Sequence, residues 1–259
     1  MSLDNRHLAP QAFRESCRQG KFSGATAGVA HGYVQANLMI LPRDWAFEFL
    51  LFCQRNPKPC PLIEVVDTGC TAPASAPLAD LRTDLPGYRV FRDGVLSEET
   101  DDIVRLWQPD FVSFLIGCSF SFESALIDAG IRLRHVDQGR NVAMYKSNLA
   151  CTPAGRLRGN MVVSMRPVAA SRVAQAVEIS ARYPLVHGSP VHIGHPESIG
   201  INDIGQPDFG DAVAIESDEI PVFWACGVTP QWIACQSGIP FCITHAPGKM
   251  FVTDRLNLF

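Results

Sequence analysis

The stretch FVSFLIGCSFSFE (residues 111–123) begins as an apolar run, turns at a glycine and a cysteine, and ends in hydroxyl groups and a carboxylate. A nearly continuous apolar run of this length is typical of a strand that is buried on both faces. Residues 121–129 then place apolar side chains along one stripe, which predicts a helix. A buried strand that leads directly into a helix is typical of α/β folds.

Apolar runs and helical patterns alternate on both sides of that stretch, which predicts a parallel sheet with helices on both faces. PVFWACG (221–227), a short helix beginning near Thr229, and IPFCITH (239–245) together predict a compact βαβ unit. The other predicted elements precede residue 111. They are helices at about 10–18, within 43–56 and over 98–107, and strands within 61–69 and 87–91.

The order of these elements predicts two structural units. Residues 131–199 are rich in strand patterns and contain one helix over 169–182, and we interpret them as an inserted two-layer α+β domain. Residues 1–130 and 200–259 are then expected to form a three-layer α/β/α sandwich. The predicted fold class is therefore α/β with a second, smaller domain.

Two stretches in the first third of the chain have no clear helix or strand period. Residues 20–42 are rich in glycine and alanine, and we predict a loop whose backbone can pack closely or wrap a ligand. Residues 70–87 contain several prolines, which predicts an irregular crossing segment that is either a domain boundary or a lid.

Composition limits the class of partner. Hydrophobic residues make up 47% of the 259 residues and charged residues 19%, which indicates a large core or buried subunit contacts and so allows a homo-oligomer. The formal net charge is -4, without a run of lysine or arginine, so we expect a small molecule rather than nucleic acid. MSLDNRHLAPQAF lacks the features of a signal peptide and no apolar run approaches membrane-spanning length, so we expect no membrane partner and a cytoplasmic location.

The nine cysteines are interpreted as reduced side chains, because most lie inside apolar segments and none forms a C-x-x-C pair. Cys118 is the exception, since it lies at a turn where a helix N-terminus can lower the pKa of a thiol. As a nucleophile it would also need a nearby base.

Polar residues follow three of the predicted strands at the point where each strand ends. In open α/β sheets, ligands bind beyond the carboxyl ends of the strands, where helix N-termini present free N–H groups. If the three strands are neighbours, their polar residues face one crevice. These residues are Cys118, Ser119, Ser121 and Glu123, then Thr229 and Gln231, and finally Thr244 and His245.

Glu123 is the candidate acid or base of this crevice, and His245 is its predicted partner in proton transfer. A helix cap is the alternative for the first stretch, with Ser119 or Ser121 bonding first-turn N–H groups and Glu123 complementing the helix dipole. A capping box, however, needs a hydroxyl at the position of Phe120, so the cap does not explain Glu123. For His245 a purely structural role is equally open.

Other polar residues are candidates for substrate binding. An arginine can hold a carboxylate through two parallel hydrogen bonds, so Arg140 or Arg166 is the predicted carboxylate clamp, with a surface salt bridge as the alternative for each. His192 and His195 have the spacing of a zinc motif, but the neighbouring glycine and proline argue against a helix there, and no metal site is predicted. The predicted catalytic residues are Glu123, His245, Ser119 and Cys118, and the predicted substrate-binding residues are Ser121, Thr229, Gln231, Arg140, Arg166, Asn141, His192 and Lys249.

Several long segments together resemble one known family, the D-glutamate cyclase-like family of hydro-lyases, and they occur in the order of that family over almost the whole chain. The resemblance implies a two-part α/β fold, with a three-layer sandwich and a smaller two-layer domain, and no known metal or organic cofactor. The segments are TAGVAHGYVQAN (26–37), GCSFSFE (117–123), NVAMYKSN (141–148), VVSMRP (162–167), HGSPVHIGHP (187–196), PVFWACGVTPQ (221–231) and THAPGKMFVTD (244–254).

The resemblance also implies an activity, the cyclisation of D-glutamate to 5-oxo-D-proline with loss of water. It supplies no residue roles, so the predicted site rests on the residues themselves. Our hypothesis is that the amine of the substrate attacks its own distal carboxyl while Glu123 and His245 transfer protons. Hydroxyls and N–H groups at Ser119, Ser121 and Thr229 are expected to stabilise the oxyanion. The alternatives are dehydration of a small hydroxy acid and non-catalytic binding of a small acid.

Overall fold

The structure is a computed structural model that describes residues 7–257. Within that range, the strands form two separate sheets. In chain order the strands are β1 (Tyr33–Pro42), β2 (Leu62–Val66), β3 (Tyr88–Arg92), β4 (Val95–Thr100), β5 (Phe111–Gly117), β6 (Ala143–Ala150), β7 (Asn160–Ala169), β8 (His192–Ile193), β9 (Glu219–Ala225), β10 (Phe241–His245) and β11 (Phe251–Leu256).

The α-helices of the same range lie against the faces and edges of the sheets. None has both the length and the apolar composition that crossing a bilayer requires, among the residues that the structure describes. The helices are α1 (Pro10–Arg18), α2 (Arg43–Arg55), α3 (Phe120–Asp128), α4 (Arg134–Asp137), α5 (Val173–Ala181) and α6 (Val228–Gln236).

The larger sheet is built around β1. Its strand order is β2-β5-β1-β10-β3-β4, and β11 also pairs with β1. β1 runs antiparallel to β5, with Asn37 opposite Ile116, and antiparallel to β10, with Met39 opposite Thr244. β5 and β10 therefore point in the same direction, one on each side of β1, and their carboxyl ends lie at the same edge of the sheet.

Two strands share one edge of β1 and leave a gap between them. β10 pairs with β1 at Met39 and Ile40, whereas β11 pairs with the first half of β1, up to Ala36. The turn between β10 and β11 therefore lies beside Asn37 and Leu38. In this gap Nδ1 of His245 lies 3.2 Å from the backbone nitrogen and 3.3 Å from the carbonyl oxygen of Leu38, so a side chain takes the place of a ladder partner.

Apolar packing covers both faces of the larger sheet. On one face, α2 presents Trp45, Phe49 and Phe52, a helical spacing that forms a single stripe, to the sheet. The rings of Phe49 and Phe114 meet edge to face with their centroids 4.7 Å apart. The opposite face is covered by an irregular stretch whose apolar residues include Ala76, Ala79, Leu81 and Leu85, all buried.

The smaller sheet has the order β6-β7-β9-β8. α3 and α5 cover one of its faces, where Phe122 and Leu126 of α3 pack against Val168 of β7 and Trp224 of β9. Because α3 directly follows β5, this helix connects the larger sheet to the core of the smaller one.

The predicted α/β class is confirmed, since helices and strands are mixed along the chain and form two sheets. The predicted parallel sheet is wrong, because every strand pairing within residues 7–257 is antiparallel. The predicted βαβ unit is also wrong, because β9 pairs with β7 in the smaller sheet and β10 pairs with β1 in the larger one. An apolar run indicates a buried strand but does not identify the neighbour of that strand.

Three local predictions are also corrected. Residues 33–42, predicted as part of a loop, form the central strand, because the glycine-rich stretch ends at Gly32 and a fully buried run follows. Residues 95–100 are an edge strand paired with β3 instead of the start of a helix. Residues 70–87 are neither boundary nor lid, because their apolar side chains are part of the core.

Two expectations stay predictions. The first is the division of the chain into two domains, with residues 131–199 as the inserted one. β9, which follows residue 199 in the sequence, nevertheless belongs to the smaller sheet. The other is the lack of a signal peptide, which rests partly on residues 1–6, and these lie outside the described residues.

Gly117→Ala is expected to lower the free energy of unfolding by about 2 kcal/mol, the typical cost of forcing extra volume into a packed site. A Cβ atom at this position would overlap the backbone carbonyl of Leu185, which cannot rotate away. Urea denaturation measures the change. The matched control is Gly24→Ala, whose Cβ would meet only a ring atom of Phe22 at 3.6 Å, an ordinary contact. Equal stability of the two variants would contradict the prediction.

Candidate active site

A small pocket, with a cavity volume of about 20 Å³, lies between the two sheets. The turn from β5 to α3, the turn from β9 to α6 and the turn after β10 all contribute to its wall. The three predicted strand ends therefore meet in one pocket although the strands are not neighbours in one sheet. The polar and sulfur-bearing side chains that line it are Asn37, Cys118, Ser119, Asn141, Met144, Cys226, His245 and Met250.

Two helices begin at this pocket. Ser119 is the N-cap of α3 and Gly227 is the N-cap of α6, and neither helix has a side-chain hydrogen bond to its first turn. The alternative explanation of Ser119 as a side-chain helix cap is therefore excluded. The partial positive charge of each helix N-terminus favours an anion, so the pocket suits a carboxylate.

The approach of α6 to the pocket depends on Gly227. A Cβ atom at this position would overlap the side chain of Asn37. Asn37 is itself fixed, because its Nδ2 donates to the carbonyls of Ile116 and Gly117 at 3.2 and 2.9 Å. The glycine thus allows the start of α6 to lie directly against Asn37 of β1.

His245 presents one free nitrogen in the pocket. Its side chain is buried, Nδ1 lies against the backbone of Leu38, and Nε2 has no hydrogen-bond partner among residues 7–257. Burial lowers the pKa of His245 to about 4, despite the opposing backbone hydrogen bond with Leu38. The imidazole is therefore neutral near pH 7 and can accept a proton.

Glu123 belongs to a buried network behind the pocket wall. Arg166, on β7, donates from Nη2 to Oγ of Ser119 at 2.9 Å and from Nε to Oε1 of Glu123 at 3.0 Å. A second bond from Nη2 also reaches Oε1. Nε2 of His135 lies 2.9 Å from the same oxygen. The network therefore joins the first turns of α3 to the smaller sheet.

The charge state of Glu123 follows from two opposing effects. Burial by itself would raise the pKa of the carboxyl, but the charges of His135 and Arg166 and their hydrogen bonds outweigh it and lower the pKa to about 2. Glu123 is therefore a carboxylate at neutral pH. It also lines a different pocket from His245, so the structure does not bring the predicted proton-transfer pair together.

The other predicted residues of the strand ends are placed as follows. Cys118 lines the pocket, and burial raises the pKa of its thiol, which opposes formation of a thiolate. Oγ of Ser121 accepts the backbone N–H of Gln35 at 2.9 Å. Thr229 bonds both backbone groups of Val162. Neither Ser121 nor Thr229 lines the pocket of His245, and Gln231 lies buried in α6 outside its wall.

Of the remaining predicted residues, Asn141 lines the pocket. Arg166 is fully buried and does not line it, and Arg140 donates to the carbonyl of Ala212 on the surface. Nζ of Lys249 lies 3.3 Å from the carbonyl of Pro86, and Nε2 of His192 lies 2.9 Å from the carbonyl of His195. Neither predicted arginine is therefore in position to clamp a ligand in this pocket.

Sequence reasoning missed several residues of the site. Cys226 has the same place before α6 that Cys118 has before α3, and this parallel could have found it. Asn37 lies in a stretch that was predicted to be a loop, and His135 has no recognisable motif. Among the residues that the structure describes, no cluster of three or more histidine, cysteine or acidic side chains has the arrangement of a metal site.

Comparisons with known proteins agree on one family. A family model described as D-glutamate cyclase matches residues 112–254. A protein of Stutzerimonas stutzeri named "Putative hydro-lyase" is 57% identical over 250 residues, covering 96% of this chain and 94% of that protein. "Putative hydro-lyase YcsI" of Bacillus subtilis is 56% identical over 248 residues, covering 95% and 96%.

A weaker likeness comes from solved structures. A nitrogen repressor-like protein from Methanococcus jannaschii superposes with a TM-score of 0.41 at 9% identity, covering 90% of this chain and 91% of that chain.

The buried carboxylate of Glu123 is expected to make stability depend on pH. Its folded pKa of about 2 lies below the ordinary value of 4.5, so the stabilisation is present above about pH 4.5 and is lost as the pH falls toward 2. The full effect is about 3 kcal/mol. Urea denaturation at a series of pH values should show a shallower loss in Glu123→Gln than in the wild type. Glu178→Gln, at an exposed helix pair with Arg182, is the control and should keep the wild-type slope.

Proposed function

The chain belongs to the D-glutamate cyclase family of hydro-lyases, and we propose that its reaction is the cyclisation of D-glutamate to 5-oxo-D-proline with release of water. The observation that carries the proposal is the pocket in which two helix N-termini face a neutral imidazole with a free Nε2. A helix N-terminus attracts a carboxylate and a neutral imidazole can accept a proton, and the reaction requires both of these functions.

The reaction makes one bond and breaks one. The nitrogen of the substrate attacks the carbon of its own distal carboxyl group, a C–N bond forms, and a C–O bond of that carboxyl breaks. Two protons leave the ammonium nitrogen, and the departing oxygen takes up two protons and leaves as water. The protein therefore has to fold the substrate into a near-attack shape and carry protons between two atoms of one molecule.

His245 is the group that we assign to proton transfer. Its Nδ1 carries the proton of the neutral ring and donates to the carbonyl of Leu38 at 3.3 Å. The free Nε2 therefore accepts a proton from the ammonium group and returns it to the departing oxygen. The N-termini of α3 and α6 hold the carboxyl groups and stabilise the charge that develops on oxygen.

Ser119 is the proposed hydroxyl donor. Its oxygen already accepts a hydrogen bond from Arg166, so its own proton is available to the ligand. Arg166 in turn is held by Glu123, which we assign to positioning because its carboxylate faces away from the pocket of His245. This assignment replaces the predicted role of Glu123 as acid or base.

The proposal includes a compartment. The nine cysteines are all unpaired, including the exposed Cys70, and free thiols persist in a reducing environment. We therefore keep the cytoplasm as the proposed location and a small acid as the proposed partner of the pocket.

One experiment tests the proposed reaction. The purified protein is incubated with D-glutamate, L-glutamate and a panel of small hydroxy acids, and products are followed by NMR. A lactam from D-glutamate supports the proposal. An unsaturated or oxo acid from a hydroxy acid would instead identify a dehydratase, and ligand-dependent thermal stabilisation without any product would identify a binding protein.

His245→Gln and Ser119→Ala are each expected to reduce turnover by about two decades with the fold intact, since each removes a group that acts on the transition state. The matched control is His192→Gln, at a histidine that does not line the pocket, and it should retain wild-type turnover. Circular dichroism and thermal melting verify folding. Wild-type turnover in His245→Gln would remove the imidazole from the mechanism.

The pH profile provides an independent prediction. Because the pKa of His245 is lowered to about 4, kcat/KM should stay level through neutral pH and fall as the pH drops below about 4. Activity regained after return to neutral pH separates titration from unfolding. A fall centred near the ordinary histidine pKa of about 6.5 would contradict the assignment.

A further inference from the structure

A second small pocket, with a cavity volume of about 30 Å³, shares Phe120 with the pocket of His245. Its wall consists of residues 28–33, Gln35 on β1, residues of α3 that include Glu123, and Val136 on α4. We call it the acceptor compartment. None of the roles assigned to the reaction pocket uses it.

Glu123 leaves one carboxylate oxygen without a partner in the compartment. Every hydrogen bond that Arg166 and His135 make with Glu123 ends on Oε1. Oε2 is buried and has no hydrogen-bond partner among residues 7–257. A buried carboxylate oxygen without a donor costs free energy, because it has lost water and gained nothing in exchange.

Gln35 contributes a second oxygen of the same kind. Its Nε2 donates to the carbonyls of Thr26 and Val29 at 2.8 and 3.0 Å. Turning the amide over would place its oxygen against those two carbonyls, so the orientation is fixed and Oε1 can only accept. Oε1 is also buried and has no partner within the described range.

The charges around the compartment favour a ligand whose hydrogen-bond donor carries a positive charge. Glu123 is ionised, and Arg166 lies on the side of Oε1 rather than among the residues of the wall. The other ionisable groups of the wall are Tyr33 and His31, and His31 lies 3.7 Å from the carboxylate of Asp128. Within the described residues, no lysine or arginine lines the wall.

We propose that the acceptor compartment binds a primary ammonium group, the group that α-amino acids carry. An ammonium group offers several N–H donors and a charge opposite to that of Glu123, so it can meet both unpartnered oxygens. A quaternary ammonium has the charge without the donors, and a potassium ion has the charge and a similar size without N–H groups. The comparison of these cations separates donor recognition from simple charge attraction.

The test is a binding measurement on the full chain and needs no turnover. Thermal melting is recorded in methylammonium, potassium and tetramethylammonium chloride at matched ionic strength. A ligand that binds the native state raises the melting temperature with its concentration, so methylammonium should raise it more than either control cation. Equal melting temperatures in the three salts would mean that the compartment binds no added cation. An equal rise of the melting temperature with potassium and with methylammonium would indicate a cation site that does not recognise N–H donors. Either result overturns the proposal.

Variants locate the site. Glu123→Gln should weaken the apparent affinity for methylammonium by about tenfold, the loss expected when a charged acceptor becomes neutral. Ser124→Ala is the matched control, because it lines the same pocket but its hydroxyl already bonds the carbonyl of Ser121. The affinity of this control should not change. Unchanged affinity in Glu123→Gln would overturn the proposal.

A second measurement needs no variant. Saturation-transfer NMR on the methyl protons of methylammonium, with wild-type protein, detects binding directly. The signal should persist in excess tetramethylammonium and disappear when a primary amine such as ethylammonium competes. Absence of any transfer would overturn the proposal even if no variant folds.

Discussion

The buried guanidinium of Arg166 determines how the two sheets are held together. It projects from β7 of the smaller sheet and bonds Ser119 and Glu123 at the start of α3, the helix that continues β5 of the larger sheet. The rings of Phe122 and Trp224 lie within 5.4 Å of its carbon, so water does not replace these bonds. An isolated buried charge is expensive, and only the two sheets in this arrangement supply its partners.

The pocket is a consequence of that arrangement. β5 and β10 end at one edge of the larger sheet, and β9 ends at the facing side of the smaller one, so two helix N-termini and an imidazole converge. No single sheet contains the site. The same network that fixes the sheets also orients the hydroxyl of Ser119, which connects the stability of the fold to the geometry of the pocket.

From the sequence we could predict that strand ends converge on one pocket and that Cys118, Ser119, Asn141 and His245 belong to it, because strand-to-helix turns have clear local patterns. It did not allow prediction of which strands pair, because pairing depends on contacts between distant residues. For the same reason Glu123 was predicted to face the substrate. Its partners, Arg166 and His135, lie far along the chain or have no motif.

The gap beside Leu38 has a consequence for comparing sequences. His245 completes the hydrogen bonding of β1 through Nδ1, which donates to the carbonyl of Leu38, and the strand uses this bond whether or not Nε2 reacts. Selection for folding alone would therefore retain the histidine in lineages that have lost catalysis. A histidine at this position in a distant relative is therefore explained by the fold alone. Whether that relative also catalyses the reaction has to be judged from the residues around Nε2.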